Sequence, residues 1–379
     1  MPKKSITPGQ IRTNNRQLIY RYIYHNKKTS QLDIAYALRL SRPTVATNLA
    51  ELESEGLICK DGVIDSDQIG RKAAAYSIVS SFRVGIGVEI TQNQIKMMAV
   101  DLYGSTIKGQ IMDLSYENTD AYYDDLSGKI LAFISSLDLS DEKTQIAGVG
   151  FAMQGLVAPD GRSITYGKIL ECTGLKIDVF QSRIPCPCRF IHDADSAALT
   201  ELWFRPEIHD AFFLSLSQHL GAALIHDRRI LTGKHGHTAT AEHMQMAQLG
   251  KKCYCGQIGC AETLCSMDAL LGEEDAPAFF RQVRSGEKEA VDRWKTYLDY
   301  LARFVQILHL IYDVDFIIGG YLPHYIEPED IQYLYEKIKE KNFFEEDMDF
   351  LTLSVRPEHG ITVGAALPFI QDFLAECGV

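Results

Sequence analysis

Apolar positions between residues 15 and 54 recur at helical spacing. In NNRQLIYRYIYHNKKTS they are Leu18, Ile19, Tyr22 and Ile23, which predicts a helix that ends in the polar HNKKTS. Ser30 is placed to cap a second helix, QLDIAYALRL, with Leu32, Ile34, Ala35 and Leu38 on its inner side. Ser41 is placed to cap a third, RPTVATNLAELESEGLI. Pro43 then falls in the first turn, where its missing N–H costs nothing. Val45, Leu49 and Leu52 form its inner stripe, and Thr44, Thr47 and Asn48 are expected on the opposite face. The next stretch, LICKDGVIDSDQIGRKAAAYSIV, reads as two strands joined by a loop.

The texture changes near residue 82. RVGIGVEITQNQIKMMAVDLYGSTIKGQIMDL alternates apolar and polar residues around a Tyr-Gly turn at 103–104, which predicts a β-meander. A helix over DDLSGKILAFISSL and an apolar strand in IAGVGFAMQGLVAPDG follow. CRFIHDADSAALTELWF reads as a strand running into a helix, and DAFFLSLSQHLGAALIHDRRILTG as a hairpin. Residues 276–311 read as helical, VDFIIGGYL as a strand, and HGITVGAALPFIQDFLAE as a closing helix. Strands alternating with helices in two successive halves predict an α/β protein with two lobes around a cleft.

Charge separates the N-terminal segment from the rest. Residues 1–80 carry 12 Lys+Arg against 7 Asp+Glu, whereas the whole chain has a net charge of -12. A basic module on an acidic body suggests a DNA reader. Two short helices, the second opening on small polar residues, followed by a two-stranded wing, predict a winged helix-turn-helix over residues 1–80. Ser41, Arg42, Thr44, Thr47 and Asn48 are the candidate DNA contacts, for bases or phosphates. Arg71, behind Gly70, is placed to reach a phosphate or the minor groove.

No run approaches the roughly 20 apolar residues of a membrane span, and the basic N-terminus lacks the apolar core of a signal peptide. A cytoplasmic protein with reduced thiols is the expectation. The 9 cysteines then argue for metal rather than a disulfide framework, because three of them gather in HMQMAQLGKKCYCGQIGCAE. His243, Cys253, Cys255 and Cys260 are the candidate ligands of a closed tetrahedral zinc site, with His235 and His237 as rival ligands. Gly256 and Gly259 would allow the turns that bring the thiolates together. Four protein ligands leave no open position, so the zinc is expected to be structural.

The cysteine segment resembles the Cys-x-Cys-Gly-x-x-Gly-Cys-x-Glu pattern, with its upstream His, of the ROK family of repressors, open reading frames and kinases. HDADSAALTE is similar to that family's Asn-Asp-Ala-Asn segment, IIGG to its Gly-Gly turn, and the N-terminal module to its repressor branch. The resemblance covers nearly the full length. It implies a two-lobed, actin-like fold of the sugar-kinase and Hsp70 type. On that fold, residues 81–200 form a first lobe, 201–361 a second lobe with the zinc loop, and the helix 362–379 packs back on the first.

The resemblance also implies ligand-binding roles for Asp193, at the catalytic-base position, and for His243 and Glu262, with His192 in place of the Asn before the base. Thr240 stands where the family has the Glu of Gly-Glu-x-Gly-His, and Lys168 corresponds loosely to a further Asn. Lys168 and His192 raise the alternative of a sugar-phosphate effector. Both phosphate motifs are altered. Asp-x-Gly-Gly-Thr is EITQN here, and the second glycine motif is SQHLG, with Ser217 and His219 in place of glycines. Side chains there keep the backbone away from a phosphate. The expectation is therefore no enzyme, but a regulator, in the sense of a repressor, that binds a double-stranded DNA operator as a homodimer or higher oligomer and senses a sugar. Two alternatives are a ROK sugar kinase with an appended DNA-binding module and a regulator inhibited by a protein partner.

Overall fold

A computed structural model describes residues 8–64, 73–137, 139, 145–340, 349–356 and 358–379. The N-terminal module begins with α1 (Pro8–Asn26), the short strand β1 (Thr29–Ser30), α2 (Gln31–Ala37) and α3 (Arg42–Ser54). Ser30 accepts from the Asp33 N–H and Asp33 returns the bond, a capping box that fixes where α2 starts. Ser41 caps α3 through the Thr44 N–H. β2 (Ile58–Ile64) and β3 (Ala73–Ile78) pair antiparallel, and β1 joins the outer side of β3. The three helices and the two-stranded wing stand where the hydrophobic spacing puts them. Arg71, in the wing loop, lies outside the described residues.

The meander follows as β4 (Arg83–Ile90), β5 (Gln94–Val100) and β6 (Thr106–Asp113), then α4 (Asp120–Ser135) and β7 (Gln145–Met153). A small hairpin, β8 (Leu156–Val157) and β9 (Ile164–Tyr166), precedes α5 (Asp178–Gln181), β10 (Cys188–His192) and α6 (Asp193–Phe204). β11 (Ala211–Leu216), β12 (Leu220–His226) and β13 (Arg229–Ile230) form the second meander. After the cysteine loop come α7 (Glu262–Cys265), α8 (Met267–Leu271), α9 (Ala276–Ser285), α10 (Lys288–His309) and β14 (Asp315–Gly320). α11 (Pro328–Lys339), β15 (Leu351–Leu353) and α12 (Gly360–Glu376) complete the chain.

The two large sheets share one connectivity. The first runs β10-β7-β4-β5-β6, the second β15-β14-β11-β12-β13. In each, a three-stranded antiparallel meander is extended by two parallel strands on the other side of its first strand. A repeated five-stranded unit of this kind is a two-lobed α/β architecture, as the alternation of strands and helices predicts.

Helices α6 and α12 lie between the two sheets. Ala197, Ala198 and Leu202 of α6 pack on Phe213, Ile225 and Ile317 of the second sheet. α12 lies on the first sheet, and it lies close because the strands carry glycine. A Cβ on Gly87 would sit 1.7 Å from the Thr362 carbonyl oxygen, and one on Gly150 1.8 Å from that of Ala365. The Ser196 and Thr200 hydroxyls donate to the Ile361 and Gly360 carbonyls at 2.6 Å, tying α6 to the first turn of α12. The far end of α12 reaches the N-terminal module. Ile19, Tyr20 and Ile23 of α1 share one hydrophobic core with Leu367, Ile370 and Leu374. Tyr24 stacks on Tyr103 at 5.0 Å and donates to the Leu102 carbonyl, and Gln17 donates to the Glu376 carbonyl.

Candidate functional site

A cleft opens between the two sheets. Its floor is the junction of β10 and α6. His192 ends the strand and Asp193 begins the helix, so both side chains are delivered to the cleft by one change of backbone. The Asp193 carboxylate accepts from the Ala194 N–H at 2.8 Å. His192 lies 3.3 Å from Asp193 and 3.8 Å from Asp195. Burial alone would lower the His192 pKa, but the Asp195 hydrogen bond and the charges of Asp193, Asp195 and Glu242 overcome it and push it up to about 9. Burial raises Asp193, against the opposing pull of the His192 charge.

The opposite wall comes from the second lobe. His243 closes a single 3₁₀ turn, Ala241–His243, and lines the cleft with Glu242, Tyr254, His219 and Leu220. Lys168 and Tyr166 line it from the first lobe, Lys168 exposed to solvent. Three of the four expected ligand-site residues, His192, Asp193 and His243, therefore face one space. Glu262 does not line that space. Its carboxylate accepts from the Leu220 N–H at 2.8 Å and pairs with His219 Nδ1 at 2.8 Å, which places it behind the wall. Burial lowers the His219 pKa, yet the bond and charge of Glu262 raise it overall. Sequence reasoning assigned Glu262 to the ligand and missed its bond to His219, a residue of the altered glycine motif that does line the cleft. Thr240 donates to the His237 carbonyl.

Sequence reasoning also missed Glu242. It is 5% exposed, and its Oε2 is buried with no hydrogen-bond partner among the described residues. Burial pushes its pKa up to about 7. The available signal was its position directly before His243, where the Gly-Glu-x-Gly-His pattern has its second Gly. Tyr166 and Tyr254, whose rings meet His243 edge-on at 6.2 and 5.1 Å, carried no sequence signal.

Behind His243 lies the cysteine loop. Ligand atoms of His243, Cys253, Cys255 and Cys260 all fall within 4.8 Å of one another. Cys255 Sγ is 3.7 Å from Cys260 Sγ, and Cys253 Sγ is 3.7 Å from His243 Nδ1. A tetrahedral zinc with Zn–S of about 2.3 Å sets its sulfurs about 3.8 Å apart, so the donor set and its spacing fit that ion. His235 and His237 are not members of the cluster. Gly256 and Gly259 take φ of +94° and +74°, and a Cβ on Gly259 would sit 1.9 Å from the Ala247 carbonyl oxygen. Burial raises the Cys253 thiol to about 12 and also raises Cys260, so a cation is needed to hold them as thiolates.

In the first altered phosphate motif Thr91 and Gln92 stand at the glycine positions, and the Thr91 hydroxyl accepts from the Gln94 N–H and donates to the Gln94 carbonyl. Glu89 is buried, takes a bond from Lys96 at 3.2 Å and another from the Thr362 hydroxyl at 2.8 Å. In the second motif Ser217 accepts from the Tyr321 N–H and His219 pairs with Glu262.

On the recognition helix, Arg42 and Thr47 are exposed and Thr44 is half-buried, its hydroxyl turned to Ser41 at 2.8 Å. Asn48 departs from expectation. It is 5% exposed, and its amide donates to the Thr44 carbonyl. Its position, four residues after Thr44 and beside Leu49, turns it into the module's core, so it does not present an edge to DNA. Tyr36 and Arg39, at the end of α2 and in the turn, are exposed instead.

Residues 85–371 match the ROK family, and residues 12–58 match winged helix-turn-helix DNA-binding. The chain belongs to the ROK family. It is 26% identical over 266 residues to the N-acetylglucosamine repressor of Escherichia coli O157:H7, covering 69% of this chain and 64% of that protein. The matched region thus spans under two thirds of that relative's length. The xylose repressor of Bacillus subtilis is 24% identical over 264 residues, 69% of this chain and 68% of that one. Among solved structures, a ROK family transcriptional regulator homologous to the Escherichia coli MLC protein superposes with a TM-score of 0.77 at 19% identity, over 97% of this chain and 98% of that one. A ROK glucokinase from Streptomyces griseus, in complex with glucose and AMPPNP, superposes with a TM-score of 0.63 at 19% identity, over 75% and 98%. These structures share the fold. No helix among the described residues is long and apolar enough to cross a membrane.

Proposed function

We propose that this ROK protein is a DNA-binding transcriptional regulator, in the sense of a repressor, whose cleft senses a sugar or sugar derivative. The observation that carries the reading is that side chains occupy the glycine positions of both phosphate motifs, Thr91 and Gln92 in the first, with Thr91 bonded to Gln94, and Ser217 and His219 in the second, with His219 paired to Glu262, beside a cleft that keeps Asp193 and His243. A nucleotide phosphate needs bare backbone N–H groups at such a turn. The chain therefore binds a ligand without phosphorylating it, and Asp193 accepts a ligand hydroxyl instead of serving as a base. The repressor function of the two named relatives supports this reading over a kinase with an appended module.

The module meets DNA through Ser41, Arg42, Thr44 and Thr47, with the wing residue Arg71 reaching the backbone or minor groove. Two modules from a homodimer would read two half-sites. Ligand-driven lobe closure would alter their spacing, and α12, packed on the cleft's sheet at one end and on α1 at the other, is the connecting part. Zinc at His243, Cys253, Cys255 and Cys260 would be structural: it would fix the loop and, through His243, the wall of the cleft. Abundant thiol ligands suit the reducing cytoplasm.

The test is selection of bound duplexes from a random pool, followed by a sugar panel added to the complex and an assay of ATP turnover. Sugar-dependent release without turnover is the expected outcome. Turnover at rates typical of kinases overturns the reading, and release by cell extract but by no sugar points to a protein partner.

A further inference from the structure

The floor and wall of the cleft hold more carboxyl groups than cationic ones. The imidazole of His192 is 3.3 Å from Asp193 and 3.8 Å from Asp195, so one cation already serves two carboxylates. Glu242 adds a third, 5% exposed. Its nearest cationic or polar ring atom is His243 Nε2, 3.8 Å from Oε1 and beyond hydrogen-bond reach, and its Oε2 has no partner among the described residues. His219, the other ring lining the wall, is committed to Glu262. Lys168 is exposed at the mouth and does not offset Glu242 inside.

A buried carboxylate oxygen left without a partner is costly, and a donor, best a charge-assisted one, is the group that relieves it. Asp193 beside it suits a ligand hydroxyl, and Tyr166 and Tyr254 line the same space. A phosphate or carboxylate on the ligand would face Asp193 and Glu242 and be repelled. An acetamido group keeps one N–H donor, but it carries no charge and adds a carbonyl oxygen near the same carboxylates.

We propose that the cleft takes a polyol bearing a free primary amine, and that Glu242 is the residue that selects the amine. This rests on the reading of the cleft as the effector site, and it narrows the effector to amino sugars that are not acylated or phosphorylated. Glu242 replaces a residue that, as glycine, could make no such contact.

Calorimetric titration of the zinc-loaded full chain tests it. The probes are glucosamine, mannosamine and galactosamine, each beside its N-acetyl and its hydroxyl counterpart. At least one free amine should bind the wild type tenfold or more tightly than both of its counterparts. Glu242→Gln should remove that preference by weakening the amine alone, with zinc content and circular dichroism unchanged. Should that variant misfold, the wild-type preference still decides. A neutral or N-acetyl sugar that binds as tightly as its amine, or a folded Glu242→Gln protein that keeps the preference, overturns the proposal and leaves the effector reading standing. Binding of no probe at all overturns the amine proposal, and the wider sugar panel then decides the effector reading.

Discussion

His192 shows how one residue can carry a pH response. Its pKa rises from 6.5 to about 9 because Asp193 and Asp195 outweigh the effect of burial. The folded protein then binds that proton more tightly than the unfolded chain, so the associated stability is complete below pH 6.5 and is lost as pH rises to about 9. The change is at most about 3 to 4 kcal/mol, since one pKa unit corresponds to about 1.4 kcal/mol. Thermal unfolding between pH 6 and 9.5 should show a falling midpoint, and His192→Gln should flatten it. A wild-type midpoint that rises over this range would show that His192 is not held as the cation. Asp193 makes a separate prediction. Asp193→Asn removes a charge-assisted bond worth about 1.5–3 kcal/mol, and the effector concentration needed to release DNA should rise about tenfold or more. Glu262→Gln should act differently, because Glu262 holds His219 and the Leu220 N–H. It should lower thermal stability as well as effector response, which a melting curve and a titration together distinguish.

At the scale of elements, the recognition helix and the cysteine loop were legible in the sequence for local reasons. Ser30, Ser41 and Pro43 act within one turn of their own position, so caps and helix starts could be read directly. The His and Cys spacing was equally local. What could not be read was the rotation of a side chain against a distant partner. Asn48 has the polarity of a base reader, yet the stripe of Val45, Leu49 and Leu52 leaves it just inside the boundary of the core. Glu242 shares the cleft with His192 and Asp193, at the junction of β10 and α6, a neighbourhood that only the fold creates. Arg42→Ala and Thr47→Ala should weaken operator binding, the first with a smaller salt dependence. Asn48→Ala should instead destabilise the module by about 1–2 kcal/mol without relaxing sequence preference, measurable by melting the module signal and by repeating the selection. Cys255→Ser should abolish stoichiometric zinc and lower the melting temperature of the second lobe. Metal analysis showing no zinc in the active wild type would contradict that assignment.

For the whole molecule, the alternation of strands and helices announced two lobes, but not the glycine rows that let α12 lie against the first sheet. Those rows depend on which helix crosses which strand, a relation across more than 200 residues of sequence. Gly87→Ala would drive a Cβ into the Thr362 carbonyl and should cost about 3 kcal/mol or more. Through α12 the same change should disturb the seating of α1, and so reduce operator affinity as well. The central claim is that this ROK fold converts ligand binding in its cleft into a change at the winged module, and does no phosphoryl transfer. The most direct measurement is fluorescence anisotropy of a selected, labelled operator bound to the zinc-loaded chain, titrated with the sugar panel in the presence of ATP while ADP is followed in the same sample. The account predicts a saturable fall in anisotropy with a sugar and no ADP above background. ADP formation that depends on a sugar, with the operator signal unchanged, would contradict it.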